Sequence, residues 1–202
     1  LQLVHLDLES RETYALMEAA NHLSRATFGD KGEMHFHIGL NVEPCPMDCA
    51  FCSLTRRAGL FTEAIEFPEA DILAWARQGA AQGADALNLM TTGSYPLSRL
   101  LEVGRWLRRE VAVPLVANTR DLNHAEAEQL LAAGFVGCYH AVRLGEGTDT
   151  PFRPERRIQT IRVLREVGLQ WMDCVEPVGP EHAAGEMVDL MLLARREGAT
   201  YS

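Results

Sequence analysis

The sequence has no apolar run approaching the ~20 residues that a membrane-spanning helix requires, so no membrane partner is expected. It also lacks basic excess. Acidic residues outnumber basic ones 28 to 19, for a formal net charge of -9. Nucleic-acid binders present a basic surface, so no nucleic-acid partner is expected either. No Gly-x-Gly-x-x-Gly turn follows the first predicted strand, which leaves a dinucleotide site without support. Cysteine is scarce and odd in number, at 5 residues, a poor basis for a disulfide framework. With 202 residues and 47% hydrophobic content, the chain is long enough to bury a core of its own as one domain. A cytoplasmic location is the default expectation.

What the sequence does have is Cys45-Pro46-Met47-Asp48-Cys49-Ala50-Phe51-Cys52, three cysteines in a C-x3-C-x2-C spacing. Three thiolates on one short loop can hold three corners of a four-iron, four-sulfur cluster. Such clusters usually take four Cys ligands. A missing fourth leaves one iron open to another ligand. Two other readings remain. A structural zinc site takes four N/S ligands, commonly as two pairs. The second pair is missing, but His35 or His37 could complete a Cys3His set. A plain iron–sulfur carrier or scaffold would hold a cluster without further chemistry.

Along the chain, residues 10 to 28 read as a helix, with Ser10 as N-cap and Gly29 as stop. Tyr14, Leu16, Met17, Ala20 and Leu23 recur at helical spacing. Residues 34 to 42 alternate as a first strand that leads into the cysteine loop and sets His35 and His37 on one face. Strand and helix then alternate. Helices are expected from Pro68 to about Gln82, Pro96 to about Glu110, Asn123 to Gly134, Pro154 to Gly168 and Pro180 to Glu197. The strands between them are 85 to 92, 113 to 118, 136 to 142 and 169 to 178. Asn123 with Glu126 forms a capping-box pattern. Ala199-Thr200-Tyr201-Ser202 reads as the start of a sixth strand, cut short. Such alternation implies parallel strands joined by right-handed crossovers. The fold class is α/β, either an open doubly wound sheet or a curved barrel.

The cysteine spacing, with aromatic Phe51 just before the last Cys, closely resembles the cluster loop of the radical S-adenosylmethionine (SAM) enzymes. The register of all five strand–helix units resembles the biotin synthase branch of that superfamily. This branch includes biotin synthase, hydrogenase-cofactor maturases and methylornithine synthase. The resemblance implies a partial TIM-like (βα)6 barrel with an N-terminal helix and a truncated sixth strand. It makes residues 1–202 one radical SAM core domain, with a helical extension over 1–33 and the strands over 34–202.

The resemblance also implies the chemistry. Cys45, Cys49 and Cys52 would hold a [4Fe-4S] cluster. S-adenosyl-L-methionine on the open iron would be cleaved reductively to a 5'-deoxyadenosyl radical that takes hydrogen from a small-molecule substrate. A low-potential electron donor such as flavodoxin or ferredoxin is an implied partner. Cofactor or metallocofactor biosynthesis, including hydrogenase cofactor maturation, is the implied setting. Cofactor contacts map onto Phe51, the Thr92-Gly93-Ser94 turn, Asn118, Arg143, Glu146, and the Val178-Gly179 pair. Ser94 stands where many relatives carry Glu, and Glu176 replaces a small residue. Biotin synthase carries extra cysteines for a sulfur-donating cluster. The matching places here hold Asn88, Val116 or Ala117, and Asp173, with Cys174 one residue away and Cys138 on the fourth strand. Sulfur insertion is the alternative reaction, and these residues disfavour it.

Overall fold

A computed structural model describes residues 2–201; Leu1 and Ser202, the ends of the expected domain, lie outside the described residues. Helix α1 (Arg11–Phe28) starts where the Ser10 side chain accepts from the Thr13 N–H and ends at Gly29 in the left-handed conformation. Its apolar stripe meets no core. Tyr14, Met17 and Leu23 are more than half exposed, and no residue of the helix is buried.

The predicted first strand divides at Leu40 into β1 (His35–Gly39) and β2 (Asn41–Val42). The short β2 pairs antiparallel with β3 (Ile65–Glu66), and this ribbon brackets the cysteine loop. The remaining elements alternate as expected: α2 (Glu69–Ala81), β4 (Ala86–Met90), α3 (Leu97–Glu110), β5 (Leu115–Asn118), α4 (His124–Ala132), β6 (Phe135–Tyr139), α5 (Pro154–Glu166), β7 (Gln170–Met172) and α6 (Ala184–Glu197). Pro68 and Pro96 sit at N-cap positions, whereas Pro154 occupies the first helical turn, where its missing N–H costs nothing. The Asn123–Glu126 capping box is present in both directions.

Five strands form one parallel sheet in the order β1-β4-β5-β6-β7. Strand alternation sorts its two faces. Ile38, Leu87, Leu89, Leu115, Ala117, Phe135 and Cys138 join the main core beneath the helices. Ala86, Val116, Met172 and Tyr139 form a smaller cluster on the inner face. The register shifts between Leu115 and Val116, where Val136 is passed over in the pairing. The fourth strand runs from Phe135 to Tyr139 and so ends earlier than the predicted 136 to 142.

The largest departure is the fifth strand. It is three residues long rather than running to Val178, because the chain leaves the sheet after Met172. A sixth strand begins: Met172 bridges Tyr201 in parallel, and the Thr200 N–H donates to the Trp171 carbonyl at 2.8 Å. The His35 ring of β1 stacks on Tyr201 with centroids 4.9 Å apart, so the first strand and the sixth face each other across the unclosed side. No helix among the described residues is long and apolar enough to cross a membrane.

Candidate functional site

The cysteine loop is built by backbone hydrogen bonds. Cys45 N–H donates to the Leu54 carbonyl at 2.8 Å, and Arg56 N–H returns to the Cys45 carbonyl at 3.3 Å. Asp48 takes a positive φ of 49° to make the turn, and its carboxylate accepts from the Arg57 N–H at 3.2 Å. Ala50 N–H donates to the Asp149 carbonyl at 2.7 Å, fastening the loop to the segment after β6. As a result Cys45, Cys49 and Cys52 all line one cleft of about 150 Å³ at the C-terminal ends of the strands. Burial pushes the Cys49 thiol up, and Arg143 opposes that rise.

The opposite wall comes from the strand ends. Thr92 and Gly93 follow β4, Asn118 ends β5, and Arg143 follows β6. A Cβ on Gly93 would lie 2.7 Å from Met47 Cγ and 3.9 Å from Cys45 Sγ, so only glycine lets the turn come this close to the loop. The Arg143 guanidinium lies 5.9 Å from the centre of the Phe51 ring, a cation–π distance. Its Nε is 3.3 Å from Glu176 Oε1.

Four of the residues singled out by the sequence are placed differently. Glu146 turns inward and is 1% exposed at its side chain. One carboxylate oxygen accepts from the Arg143 N–H at 2.8 Å and the other from the Thr150 hydroxyl at 2.5 Å. Both oxygens are engaged, so Glu146 holds its own loop rather than lining the cleft. Val178 is 62% exposed, and Gly179 N–H donates to His182 Nδ1 at 3.1 Å. Neither faces the cleft, because the early end of β7 swings this segment away. Ser94 also points outward, donating to Glu43 at 2.5 Å.

Sequence reasoning passed over Glu43 and Asn41. Asn41 Nδ2 donates to Thr92 Oγ1 at 2.8 Å, and the Thr92 N–H donates to Asn41 Oδ1 at 3.1 Å. Thr92 Oγ1 in turn donates to the Glu43 carboxylate. Hydrogen bonds from Ser94 and Thr92 hold the Glu43 carboxyl below its ordinary range. A carboxylate from the cysteine-loop side thus holds the turn after β4. Arg157 was missed too, because it lies on a helix. It is 3% exposed, lines the cleft, donates to the Ala141 carbonyl at 3.0 Å and pairs with Asp121 at 3.1 Å. His140 lies 3.1 Å from the same Asp121 oxygen. Burial, then Arg157, push its pKa down to about 4, so the imidazole is neutral near pH 7.

Beneath the cleft lies a second cavity of about 390 Å³. His35, His37 and Asn88 line its deeper part; Asp173, Cys174 and Glu176 lie around its other side with Tyr201. Asn118 and Arg143 belong to the walls of both cavities. His35 and His37 share a face, as expected, but it is the chamber face and not the cysteine loop. Among the described residues, no three His, Cys, Asp or Glu side chains converge to hold a single metal ion. His35 and His37 do not line the cleft of the three cysteines, which speaks against the Cys3His zinc reading. The three thiols line one cleft, as residues that each hold a different iron of one cluster would. Cys138 faces the helices, where burial pushes its thiol up to about 12.

No family model matches the chain. It is 27% identical over 175 residues to the biotin synthase of Geobacter sulfurreducens, covering 81% of this chain and 53% of that protein. The biotin synthase of Renibacterium salmoninarum is 24% identical over 209 residues, covering 98% of this chain and 60% of the relative. The chain therefore spans about half the length of the curated relatives it matches. Among solved structures, a methylornithine synthase superposes with a TM-score of 0.84 at 14% identity, over 98% of this chain and 60% of that one. The [FeFe]-hydrogenase maturase HydG superposes with a TM-score of 0.77 at 9% identity, over 94% and 44%. Those two show a shared fold. Together with the cysteine loop at the strand ends, the sequence similarity to biotin synthases makes this chain similar to the biotin synthase-like branch of the radical SAM superfamily.

Proposed function

We propose that the chain is the core of a radical SAM enzyme in which cleft and chamber divide the work. Cys45, Cys49 and Cys52 hold a [4Fe-4S] cluster in the cleft. When bound, the cluster and SAM supply reductive cleavage and a 5'-deoxyadenosyl radical able to abstract hydrogen. Gly93 keeps the turn after β4 close to the cysteine loop. Arg143 offers a cation at the wall shared with the chamber, where Arg can grip a carboxylate with paired N–H groups. Asn118 gives a second polar group on that wall. The chamber encloses a small-molecule substrate and excludes water.

The observation that carries this reading is the adjacency of the two cavities through Asn118 and Arg143, with all three loop cysteines in the first. The proposed reaction is a carbon-radical rearrangement, cleavage or coupling in cofactor or metallocofactor biosynthesis, with hydrogenase cofactor maturation as one such setting. The electron comes from a flavodoxin- or ferredoxin-type donor. Similarity to biotin synthases favours sulfur insertion as a second reading. Against it, the inner-face positions hold Asn88, Val116 and Asp173, and Cys138 faces the helices.

Anaerobic reconstitution with iron and sulfide, then reduction with SAM present, tests the reading. One four-iron cluster per chain and formation of 5'-deoxyadenosine are expected, both lost in Cys49→Ala. Stoichiometric zinc without iron-dependent absorbance, or full SAM cleavage by Cys49→Ala, would overturn it.

A further inference from the structure

The chamber wall carries one buried acceptor without a donor. His35 Nε2 lies 3.0 Å from the Glu33 carboxylate, which needs a hydrogen on that nitrogen. In the neutral ring Nδ1 is then an acceptor. It takes a hydrogen bond from Asn88 Nδ2 at 3.3 Å. This fixes the amide's orientation and turns Asn88 Oδ1 away from His35. That oxygen is buried with no partner, on a residue 4% exposed. An unpaired buried acceptor costs about 1–3 kcal/mol. Nothing in the fold requires a polar residue here, because Ala86 and Val116 nearby on the same face are apolar.

Asp173, nearer the strand ends, is a buried acid whose carboxylate has a backbone hydrogen bond from Cys174 but no counter-ion of its own. It is 5% exposed and has no ion-pair partner among the described residues. Arg143, the one permanent cation on the chamber wall, is paired with Glu176 instead. Glu176 also accepts from the Tyr139 hydroxyl. The Arg143 and Glu176 charges cancel, and Asp173 leaves the chamber one negative charge over.

We propose that the chamber binds a small ligand carrying a protonated amine, which pairs with the Asp173 carboxylate, while a second N–H or O–H donor on the ligand satisfies Asn88 Oδ1 deeper in. Calling this ligand the substrate rests on the radical SAM reading; the amine site itself does not. A carboxylate ligand is disfavoured at this end because Asp173 would repel it. A wholly apolar ligand would leave Asn88 Oδ1 unpaired and Asp173 without a counter-ion. The depth order follows from the register: Asn88 lies two residues below Met90 on β4, whereas Asp173 follows Met172, which is level with Tyr139, Asn118 and Met90.

The chamber also has a stated pH response. Burial pushes the Asp173 carboxyl up to about 6, with Glu176 adding to the rise and Arg143 opposing it. The other titratable groups on the wall are His35, His37, Tyr139, Cys174 and Tyr201. Amine affinity is expected to fall as the pH drops through about 6 and Asp173 takes a proton.

The test is calorimetry on reconstituted protein with three matched probes: 5-amino-1-pentanol, 1,5-pentanediol and 5-hydroxypentanoate. Iron content and SAM cleavage are recorded on the same sample. The amino alcohol should bind at least about tenfold more tightly than either other probe, the size of one charge-assisted hydrogen bond. Asp173→Asn should remove most of that preference. Asn88→Leu should weaken the amino alcohol by about threefold to tenfold, as for one neutral hydrogen bond. A sample that holds iron and cleaves SAM but prefers the diol or the hydroxy acid, or binds none of the three, overturns the amine site and leaves the enzyme reading intact. A sample that prefers the amino alcohol but holds no iron keeps the site and overturns the enzyme reading.

Discussion

The backbone N–H of Ala50, between the second and third clustered cysteines, donates to the carbonyl of Asp149 at 2.7 Å. The cysteine loop is thereby tied to the loop that carries Arg143, Glu146 and Thr150. Glu146 holds that loop together from inside, through the Arg143 N–H and the Thr150 hydroxyl. Glu146→Ala leaves both donors without their acceptor, at a cost of about 1–3 kcal/mol for each buried group. A lowered thermal midpoint is expected, together with weaker SAM binding. Thr150→Val should lower the midpoint in the same direction by a smaller amount.

Arg143→Ala should separate affinity from stability. Its Nε pairs with Glu176, which is 39% exposed and can be rehydrated when the partner is lost. A charge-assisted hydrogen bond is worth about 1.5–3 kcal/mol, so SAM affinity should fall roughly tenfold to a hundredfold. The thermal midpoint should move far less than in Glu146→Ala. Titration of SAM into cluster-loaded protein and a melting curve on the same sample check both halves.

Gly93→Ala places a methyl group 2.7 Å from Met47 Cγ. Overpacking of this kind costs about 1–3 kcal/mol. The strain falls on the cysteine loop, so reduced iron incorporation is expected with little change in secondary structure. Removing the obstructing side chain should restore it. Iron content should recover in the Gly93→Ala, Met47→Ala double variant, and circular dichroism should be unchanged in all three proteins.

Asp173 should destabilise the folded chain at neutral pH. Its folded pKa, about 6, lies above the ordinary value of 3.8. The folded state therefore binds the proton more tightly than the unfolded state. Unfolding free energy falls as the pH rises from the unfolded value through about 6, and the deficit is complete above that. Asp173→Asn should raise stability near pH 7 by about 1–3 kcal/mol, since one pKa unit corresponds to about 1.4 kcal/mol. The gain should vanish once the solution is acid enough to protonate Asp173 in both states. Melting curves across that range check the sign.

The strand–helix alternation was legible because each unit carries its own period and stop signal. The helix ends at Gly29, the capping box at Asn123 and Glu126, and the inward stripe of α3 all follow from local rules. The three cysteines were legible from spacing alone. The fifth strand was misread because apolar residues continue to Val178 while the backbone leaves the sheet after Met172. That departure displaces Val178 and Gly179 and brings Asp173 and Glu176 onto the chamber wall. Glu43 and Arg157 were not legible. Glu43 meets Thr92 and Ser94 only through tertiary folding, and Arg157 reads as an ordinary helical surface residue until burial is known.

The central claim is that the three loop cysteines leave one iron open for SAM. Electron paramagnetic resonance of the reduced, reconstituted protein with SAM carrying a 17O-labelled carboxylate and a 15N-labelled amine tests it most directly. The account predicts a spectrum altered by SAM, with hyperfine coupling to both labels. A cluster signal identical with and without SAM, and free of either coupling, would contradict it.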